Sequence, residues 1–301
     1  MSNQKKMLAH MALLGTNIFF AINFSAVKYL INEKLILPFG LNLVRMLGAT
    51  VLLWLLHWIN PIKQPIQRIH RNRFLLCALL GIALNQLLFI KGLSMTYSIH
   101  ASLLMLTTPL FIMLIAAAIL KERLTRNKWG GLLLGISGAT VLILSRKNSG
   151  DGMNILLGDV LVIINAISYS YYFVLVKPLM KRYHPITVIR TVFTYGTLMA
   201  FPFCLFEFLK TPWASYQPLD IGILFTIVIG GTFFAYLFNV FGIKYLGASI
   251  SGAYIYSQPV FASIIAMLFM DEAVDVYKIL GAILIFSGVY LTNRTQDEPD
   301  A

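Results

Sequence analysis

Basic side chains inside long apolar stretches are the residues of this 301-residue sequence most able to do chemistry. Lys28, Arg45, Lys91 and Arg190 each lie in such a stretch. A charged group at the centre of a membrane helix costs about 2.5–3.5 kcal/mol, so it usually serves a function or escapes the apolar surroundings. These cations could bind an anionic group such as a carboxylate. Alternatively, they hold helices together or extend to the lipid headgroups.

Uncharged polar and aromatic residues of the same stretches could complete a binding site, because a tyrosine ring stacks on apolar groups while its hydroxyl bonds polar ones. The predicted substrate-binding residues are Asn23, Lys28, Arg45, Asn85, Gln86, Lys91, Tyr169, Tyr172, Tyr254, Tyr256 and Gln258. Asn17 and Asn239 are further polar residues of these stretches, although Asn17 does not share a helix face cleanly with Asn23. Pro109 and Pro259 each remove a backbone donor and predict a helix kink.

Patterns typical of enzymes and metal sites are missing from the sequence. It has no HExxH, no P-loop and no recognisable Ser/His/Asp set. Cys77 and Cys204 lie singly in apolar runs, which indicates neither a disulfide framework nor a metal site. We therefore expect no catalytic residue, no metal and no cofactor.

The elements that carry these residues are predicted to be membrane-spanning helices. Hydrophobic residues make up 58% of the chain, charged residues only 12%, and the mean hydropathy is +0.77. A spanning helix needs roughly 20 mostly apolar residues. Ten stretches qualify, at about 8–31, 38–58, 74–96, 99–120, 127–145, 155–177, 185–209, 219–243, 248–270 and 276–293. The sequence thus predicts an all-α integral membrane protein in contact with the lipid bilayer.

Lysine and arginine predict the orientation of these spans, because cytoplasmic loops are enriched in both. With the N-terminus inside, fifteen of them fall in inner loops and five in outer loops, the remaining four of the 24 lying within spans. Both ends are therefore expected in the cytoplasm. The net charge of +12 then reflects topology, and we expect no nucleic-acid partner.

An internal repeat divides the sequence into halves at 1–147 and 148–301. Residues 81–138 align with residues 231–288 without a gap, and thirteen of the 58 pairs are identical, among them Gly81 with Gly231 and Pro109 with Pro259. Five spans in each half make the second half enter the membrane from the opposite side, so the repeat is inverted. This organisation is typical of secondary transporters. Lys91 has Phe241 as its counterpart, so symmetry does not require a cation there.

Several motifs, taken in order, resemble EamA-type proteins of the drug/metabolite transporter superfamily. Their hallmark is matched by Pro109-Leu110-Phe111, Lys121-Glu122-Arg123-Leu124, Lys128 to Gly131 and Ser137-Gly138, and is repeated at Pro259 to Glu272 and Gly281 to Gly288. The segment from Phe20 to Phe24, followed by Lys28, resembles the family's Trp-Gly-x-Asn-Phe signature, with Phe in place of Trp. Arg45 also matches a common family position.

The resemblance implies a carrier in the bacterial cytoplasmic (inner) membrane that exports amino acids, related metabolites or drugs through a central cavity. The superfamily's small multidrug exporters use a glutamate in their first helix, whereas the first span here has no acid. The embedded cations favour small amphiphilic carboxylates, most of all amino acids, as the substrate. A passive channel or a non-transporting structural membrane protein is the alternative.

A glycine ridge on the fifth predicted span is expected to allow close helix packing. It comprises Gly130, Gly131, Gly135 and Gly138. Small residues let membrane helices approach closely within a chain, and the same ridge could form a homodimer interface.

Overall fold

The computed structural model describes residues 3–62, 64–120, 126–144, 154–269 and 276–293, and every regular element in these ranges is helical. The α-helices are α1 (Asn3–Asn32), α2 (Pro38–Ile59), α3 (Arg71–Ala78), α4 (Leu84–Met95), α5 (Ser98–Leu104), α6 (Thr108–Leu120), α7 (Arg126–Leu144), α8 (Ile155–Arg182), α9 (Pro185–Leu209), α10 (Pro218–Phe225), α11 (Ala235–Tyr254), α12 (Gln258–Phe269) and α13 (Val276–Asn293). The charged turns at 121–125 and 270–275 lie outside the described residues.

Within the described ranges, seven continuous helical stretches are long and apolar enough to cross a membrane. They are Gln4–Asn32, Pro38–Ile59, Arg68–Met95, Ser98–Ile119, Ile155–Arg182, Pro185–Leu209 and Pro218–Leu246. They coincide with seven of the ten predicted spans. Two shorter apolar helices, Trp129–Gly138 and Ile279–Gly288, lie within two more of the predicted spans.

The predicted break between residues 243 and 248 is absent from the structure. Helix α11 continues through this region to Tyr254. The interruption comes later, at the 3₁₀ turn Ile255–Ser257, and leaves α12 only 12 residues long.

Local irregularities of the helices recur at the same 150-residue spacing as the sequence repeat. A π-helical segment covers Leu79–Ala83 and another covers Thr226–Phe234, with Gly81 and Gly231 inside them. Turns of 3₁₀ helix cover Met105–Thr107 and Ile255–Ser257, each just before a predicted kink proline. The backbone therefore departs from regular helix at these turns, and Pro109 and Pro259 occupy the second positions of the α-helices that follow.

Side chains from neighbouring helices bond carbonyl groups at and just beyond the π-helical segments, where regular bonding is interrupted. The Asn165 Nδ2 donates to the Asn85 carbonyl at 2.7 Å, and the Thr16 Oγ1 donates to the Ala235 carbonyl at 3.2 Å. The two accepting residues are themselves 150 positions apart. The first and sixth predicted spans thus play matching parts in stabilising the two irregular helices.

Helices of each half of the chain pack against helices of the other half. Helix α1 packs on α11 and α12, while α8 packs on α4 and α6. Helix α2 packs on α9, and α7 packs on α13.

Glycines make the α7–α13 contact close. A Cβ on Gly138 would lie 2.7 Å from the Gly281 carbonyl oxygen, and one on Gly288 would lie 2.5 Å from the Gly131 carbonyl oxygen. The predicted glycine ridge is thus used inside the chain, because α13 lies against it.

Helix α2 owes its start to an acid on the neighbouring helix α9. The half-buried carboxylate of Glu207 accepts the backbone N–H of Phe39 at 2.6 Å and that of Gly40 at 3.3 Å. Free N–H groups at a helix N-terminus favour a negative partner. This contact fixes the position of α2, which carries Arg45.

Candidate functional site

A cavity opens where the two halves of the chain meet. Its walls come from α1, α2, α4, α8 and α11, with the two 3₁₀ turns and the start of α12 closing the remaining side. The lining residues are Leu13, Thr16, Asn17, Phe20, Asn23, Phe24, Arg45, Asn85, Gln86, Phe89, Met105, Asn165, Tyr169, Tyr236, Asn239, Ser251, Ile255 and Gln258. This mixture of apolar rings and convergent polar groups is typical of small-molecule sites.

Residues that correspond in the two repeats meet at this cavity. Gln86 and Tyr236 are 150 positions apart, and the Gln86 Nε2 donates to the Tyr236 hydroxyl at 2.5 Å. Met105 and Ile255, also 150 positions apart, both line the cavity. The cavity therefore lies where the segments that correspond in sequence meet.

Arg45 is the only Lys, Arg, Asp or Glu among the described residues that line the cavity. Its side chain is only 1% exposed. The Nε donates to the Thr232 hydroxyl at 3.2 Å, and the guanidinium carbon lies 6.0 Å from the centre of the Phe89 ring. The Nη1 has no hydrogen-bond partner among the described residues. A buried, incompletely paired guanidinium in a cavity wall is suited to an anionic ligand.

Amides and tyrosine hydroxyls form the polar part of the wall, and several of them orient one another. The Asn239 Nδ2 donates to the Tyr169 hydroxyl at 2.9 Å. The Gln258 Nε2 donates to the Asn17 Oδ1 at 2.7 Å, which joins α12 to α1. Since an amide both donates and accepts, this wall can bond an ammonium group or a carboxylate.

Six of the predicted binding residues come together in the cavity: Asn23, Arg45, Asn85, Gln86, Tyr169 and Gln258. Asn17 and Asn23 of α1 both reach it, although their spacing of six argued against a shared face. The α1 contribution extends over residues 13, 16, 17, 20, 23 and 24, so the cavity faces a broad stripe of the helix.

The other predicted residues lie elsewhere. Lys91 is exposed on α4, which favours the alternative that its amine reaches the headgroups. Lys28 is buried, but its Nζ donates to the carbonyls of Leu93 and Thr96 at 3.2 and 2.5 Å. Tyr172 packs against Gly81, and Tyr254 bonds the His10 ring at 2.8 Å. The side chain of Tyr256 lies outside the described residues.

Tyr236 and Asn165 are cavity residues that the sequence did not indicate. Nothing in their local context distinguishes them from other polar residues of apolar spans. The repeat does provide one signal, because Tyr236 is the counterpart of the predicted residue Gln86. Applying the 150-residue spacing to each candidate would have found it.

Arg190 is not the structural equivalent of Arg45, although the two are near each other in the repeat. Its guanidinium stacks over the Trp54 ring at 4.5 Å and does not line the cavity. Thr50 and Thr197 bond each other at 2.9 Å between α2 and α9. Among the described lining residues, the charge in the cavity therefore comes from the first half only.

Helices of membrane-crossing length around a polar cavity define a multi-pass membrane protein of the transporter class. The model of the EamA-like transporter family matches residues 7–144 and again residues 156–294. The chain belongs to this family.

Named relatives agree with this assignment, and one solved structure shares the fold. An uncharacterized transporter of Archaeoglobus fulgidus is 26% identical over 293 residues, covering 96% of this chain and 98% of its own length. A protein of Streptantibioticus cattleyicolor named "Probable terminal-alkyne amino-acid exporter" is 27% identical over 258 residues, covering 85% and 84%. A crystal structure that covers 99% of this chain, and all of its own, has a TM-score of 0.64 at 18% identity and thus shares the fold.

Proposed function

We propose that the chain is a secondary transporter that exports small amphiphilic carboxylates, foremost amino acids, through the central cavity. One observation carries the proposal: Arg45 is buried in the cavity wall with its Nη1 unpaired, and no carboxylate of the described residues lines the cavity. A buried charge without a partner is strongly unfavourable. A substrate carboxylate would supply the missing partner and could bind two guanidinium N–H groups at once.

The rest of the cavity suits the other parts of an amino acid. Amide oxygens of the wall can accept hydrogen bonds from an ammonium group. The rings of Phe20, Phe24 and Phe89 offer apolar surface to a side chain. The name of the Streptantibioticus relative, an amino-acid exporter, supports the same substrate class and the direction of transport.

Alternating access between the two halves is the proposed mechanism. The two separate matches of the family model support a chain of two repeats, and so do the backbone irregularities 150 residues apart. Inverted repeats with a binding site at their interface rock around that site in many transporters. We infer the bacterial inner membrane from the family, ten spans from the apolar stretches, and cytoplasmic termini from the loop charges.

The test is substrate efflux and uptake by the purified protein in proteoliposomes, with a panel of amino acids, other carboxylates, nucleosides, sugars and cationic dyes. We expect saturable transport of amino acids or related carboxylates. Arg45→Gln should lower it about ten- to a hundredfold, since a hydrogen bond to a charged group contributes roughly 1.5–3 kcal/mol. Lys91→Gln removes the same charge from an exposed position and should leave transport unchanged.

Three outcomes would contradict parts of the proposal. Transport confined to cationic dyes would exclude a carboxylate substrate. Conductance without saturation would favour a channel. Equal transport by Arg45→Gln and the unmodified protein would remove Arg45 from the binding site, even if the substrate class were right.

A further inference from the structure

Four buried polar residues form a second cluster outside the cavity, here called the end cluster: Lys28, Thr96, His100 and Asp159. The Thr96 hydroxyl donates to Asp159 Oδ1, and His100 Nδ1 lies 3.3 Å from Asp159 Oδ2. The Lys28 Nζ donates to the Thr96 carbonyl at 2.5 Å. None of the four residues lines the cavity.

Burial of the end cluster is nearly complete. Asp159 and Thr96 are 0% exposed, His100 is 2% and Lys28 is 3%. Three ionisable side chains thus meet in a region that excludes water. Ionisable groups in such a setting are expensive and mark ion or proton pathways in many membrane proteins.

The end cluster lies at one end of the cavity. On α1, Lys28 is four residues beyond the lining residue Phe24, and on α8, Asp159 is six residues before the lining residue Asn165. Thr96 follows α4, seven residues beyond Phe89. At 1.5 Å per residue, these separations correspond to roughly 6–10 Å along each helix. The elements thus continue from the cavity to the cluster, which caps it.

The contacts of the end cluster join helices α1 and α8 to the corner between α4 and α5. Lys28 and Asp159 belong to α1 and α8. Thr96 and His100 belong to the corner between α4 and α5. Opening the cavity at this end by moving the corner away would break the Lys28, Thr96 and His100 contacts together.

We propose that Asp159 is a proton-binding site that couples opening of this end of the cavity to protonation. In the closed arrangement both carboxylate oxygens face donors, Thr96 on one side and His100 on the other, and the Lys28 amine bonds the Thr96 carbonyl. A proton added to the carboxylate replaces an acceptor with a donor and removes the negative charge, so the closed contacts weaken. When the corner returns, the proton leaves to water and the contacts re-form.

The titratable groups around Asp159 come from three elements. Helix α1 contributes Lys28, the turn before α5 contributes Tyr97, and α5 contributes His100, whose ring lies 5.5 Å from that of Tyr97. The contact between α1 and α11 beyond the other end of the cavity differs in its chemistry from the end cluster. There the described contact is a single hydrogen bond of 2.8 Å between the exposed His10 and Tyr254. Proton binding is therefore assigned to the Asp159 end alone.

Coupling of this proton to transport rests on the proposed function, but opening can be measured without any substrate. Ser98 is fully buried at the start of α5, beside the cluster. A Ser98→Cys protein in detergent would be labelled with a maleimide between pH 5.5 and 8, with and without Asp159→Asn. The protein without Ser98→Cys gives the background from Cys77 and Cys204. Comparing two proteins with the same introduced thiol cancels the pH dependence of the thiol itself.

We expect Asp159→Asn, which resembles the protonated carboxyl, to be labelled about tenfold faster at pH 8. The ratio of the two rates should fall towards one as the pH is lowered, because a protonated native carboxyl resembles the asparagine. Asp220→Asn is the matched control, because Asp220 is a buried acid bonded to Tyr29, the neighbour of Lys28 on α1. It should label like the unmodified protein at every pH.

Other results would overturn the proton site. Equal labelling at every pH, with and without Asp159→Asn, would mean that the carboxyl does not control opening. A rate ratio above one that does not change with pH would make Asp159 a structural contact only. Neither result would bear on the Arg45 test, because the labelling experiment uses no substrate.

Discussion

Gln86 and Tyr236 show how a single pair of side chains can join the two halves of this transporter. Their hydrogen bond of 2.5 Å is buried, and the Gln86 Oε1 has no partner among the described residues. The glutamine therefore depends on the tyrosine hydroxyl for its one side-chain bond in the described structure. Such a group is costly to leave unpaired in an apolar region.

Tyr236→Phe should lower the stability of the protein by about 1–3 kcal/mol, because it leaves the buried Gln86 amide without an acceptor. The measurement is the melting temperature of the purified protein in detergent. Tyr171→Phe removes the same atom from a side chain that is 40% exposed and should have almost no effect. If the two variants melt at the same temperature, the Gln86–Tyr236 bond does not stabilise the junction.

Residue type and spacing predicted part of the site but could not show which of the embedded cations lines the cavity. Arg45 and Lys91 both lie in apolar spans, and both were candidates for carboxylate binding. Their roles depend on the rotation of α2 and α4 about their axes, which is set by packing with other helices. The weak period of apolar residues in a membrane helix gives little information on that rotation, since lipid-facing and buried faces are both apolar.

At the scale of elements, glycine positions determine how closely α7 and α13 approach. Gly138 and Gly288 occupy corresponding places, and each faces backbone atoms of the other helix. Backbone cannot move aside as the end of a flexible side chain can. An added methyl group at either position must therefore separate the helices.

Gly138→Ala and Gly288→Ala should each destabilise the protein by about 1–3 kcal/mol through overpacking. Gly222→Ala is the control, because a Cβ there meets nothing within 4 Å and alanine is the better helix former. Melting temperatures should fall for the first two variants and stay level or rise for the third. Unchanged melting of Gly138→Ala would mean that the α7–α13 contact is looser than described.

The repeat in the sequence marked the irregular elements without revealing their form. It paired Gly81 with Gly231 and Pro109 with Pro259. The structure adds that the first pair lies in π-helical segments and that the second follows 3₁₀ turns. These conformations depend on partners such as Thr16 and Asn165, which belong to other helices and cannot be assigned from local sequence.

For the whole molecule, composition was sufficient to predict an all-helical membrane protein, because apolar helices are the simplest way to satisfy backbone groups in lipid. It was less reliable for boundaries. The predicted break near residue 245 is wrong because α11 runs on to Tyr254. The count of ten spans and the inverted arrangement stay predictions.

Orientation is the prediction that tests the whole architecture at once. An odd number of spans per half places residue 148, between the halves, on the opposite side from both termini. Fifteen loop lysines and arginines against five place the termini inside. Reporter fusions at residues 66, 148 and 301 should therefore report inside, outside and inside. An outside signal at 301 would mean an odd total of spans, and an inside signal at 148 would mean that the halves have the same orientation. In the second case the packing of α1 on α11 and of α8 on α4 would need another explanation.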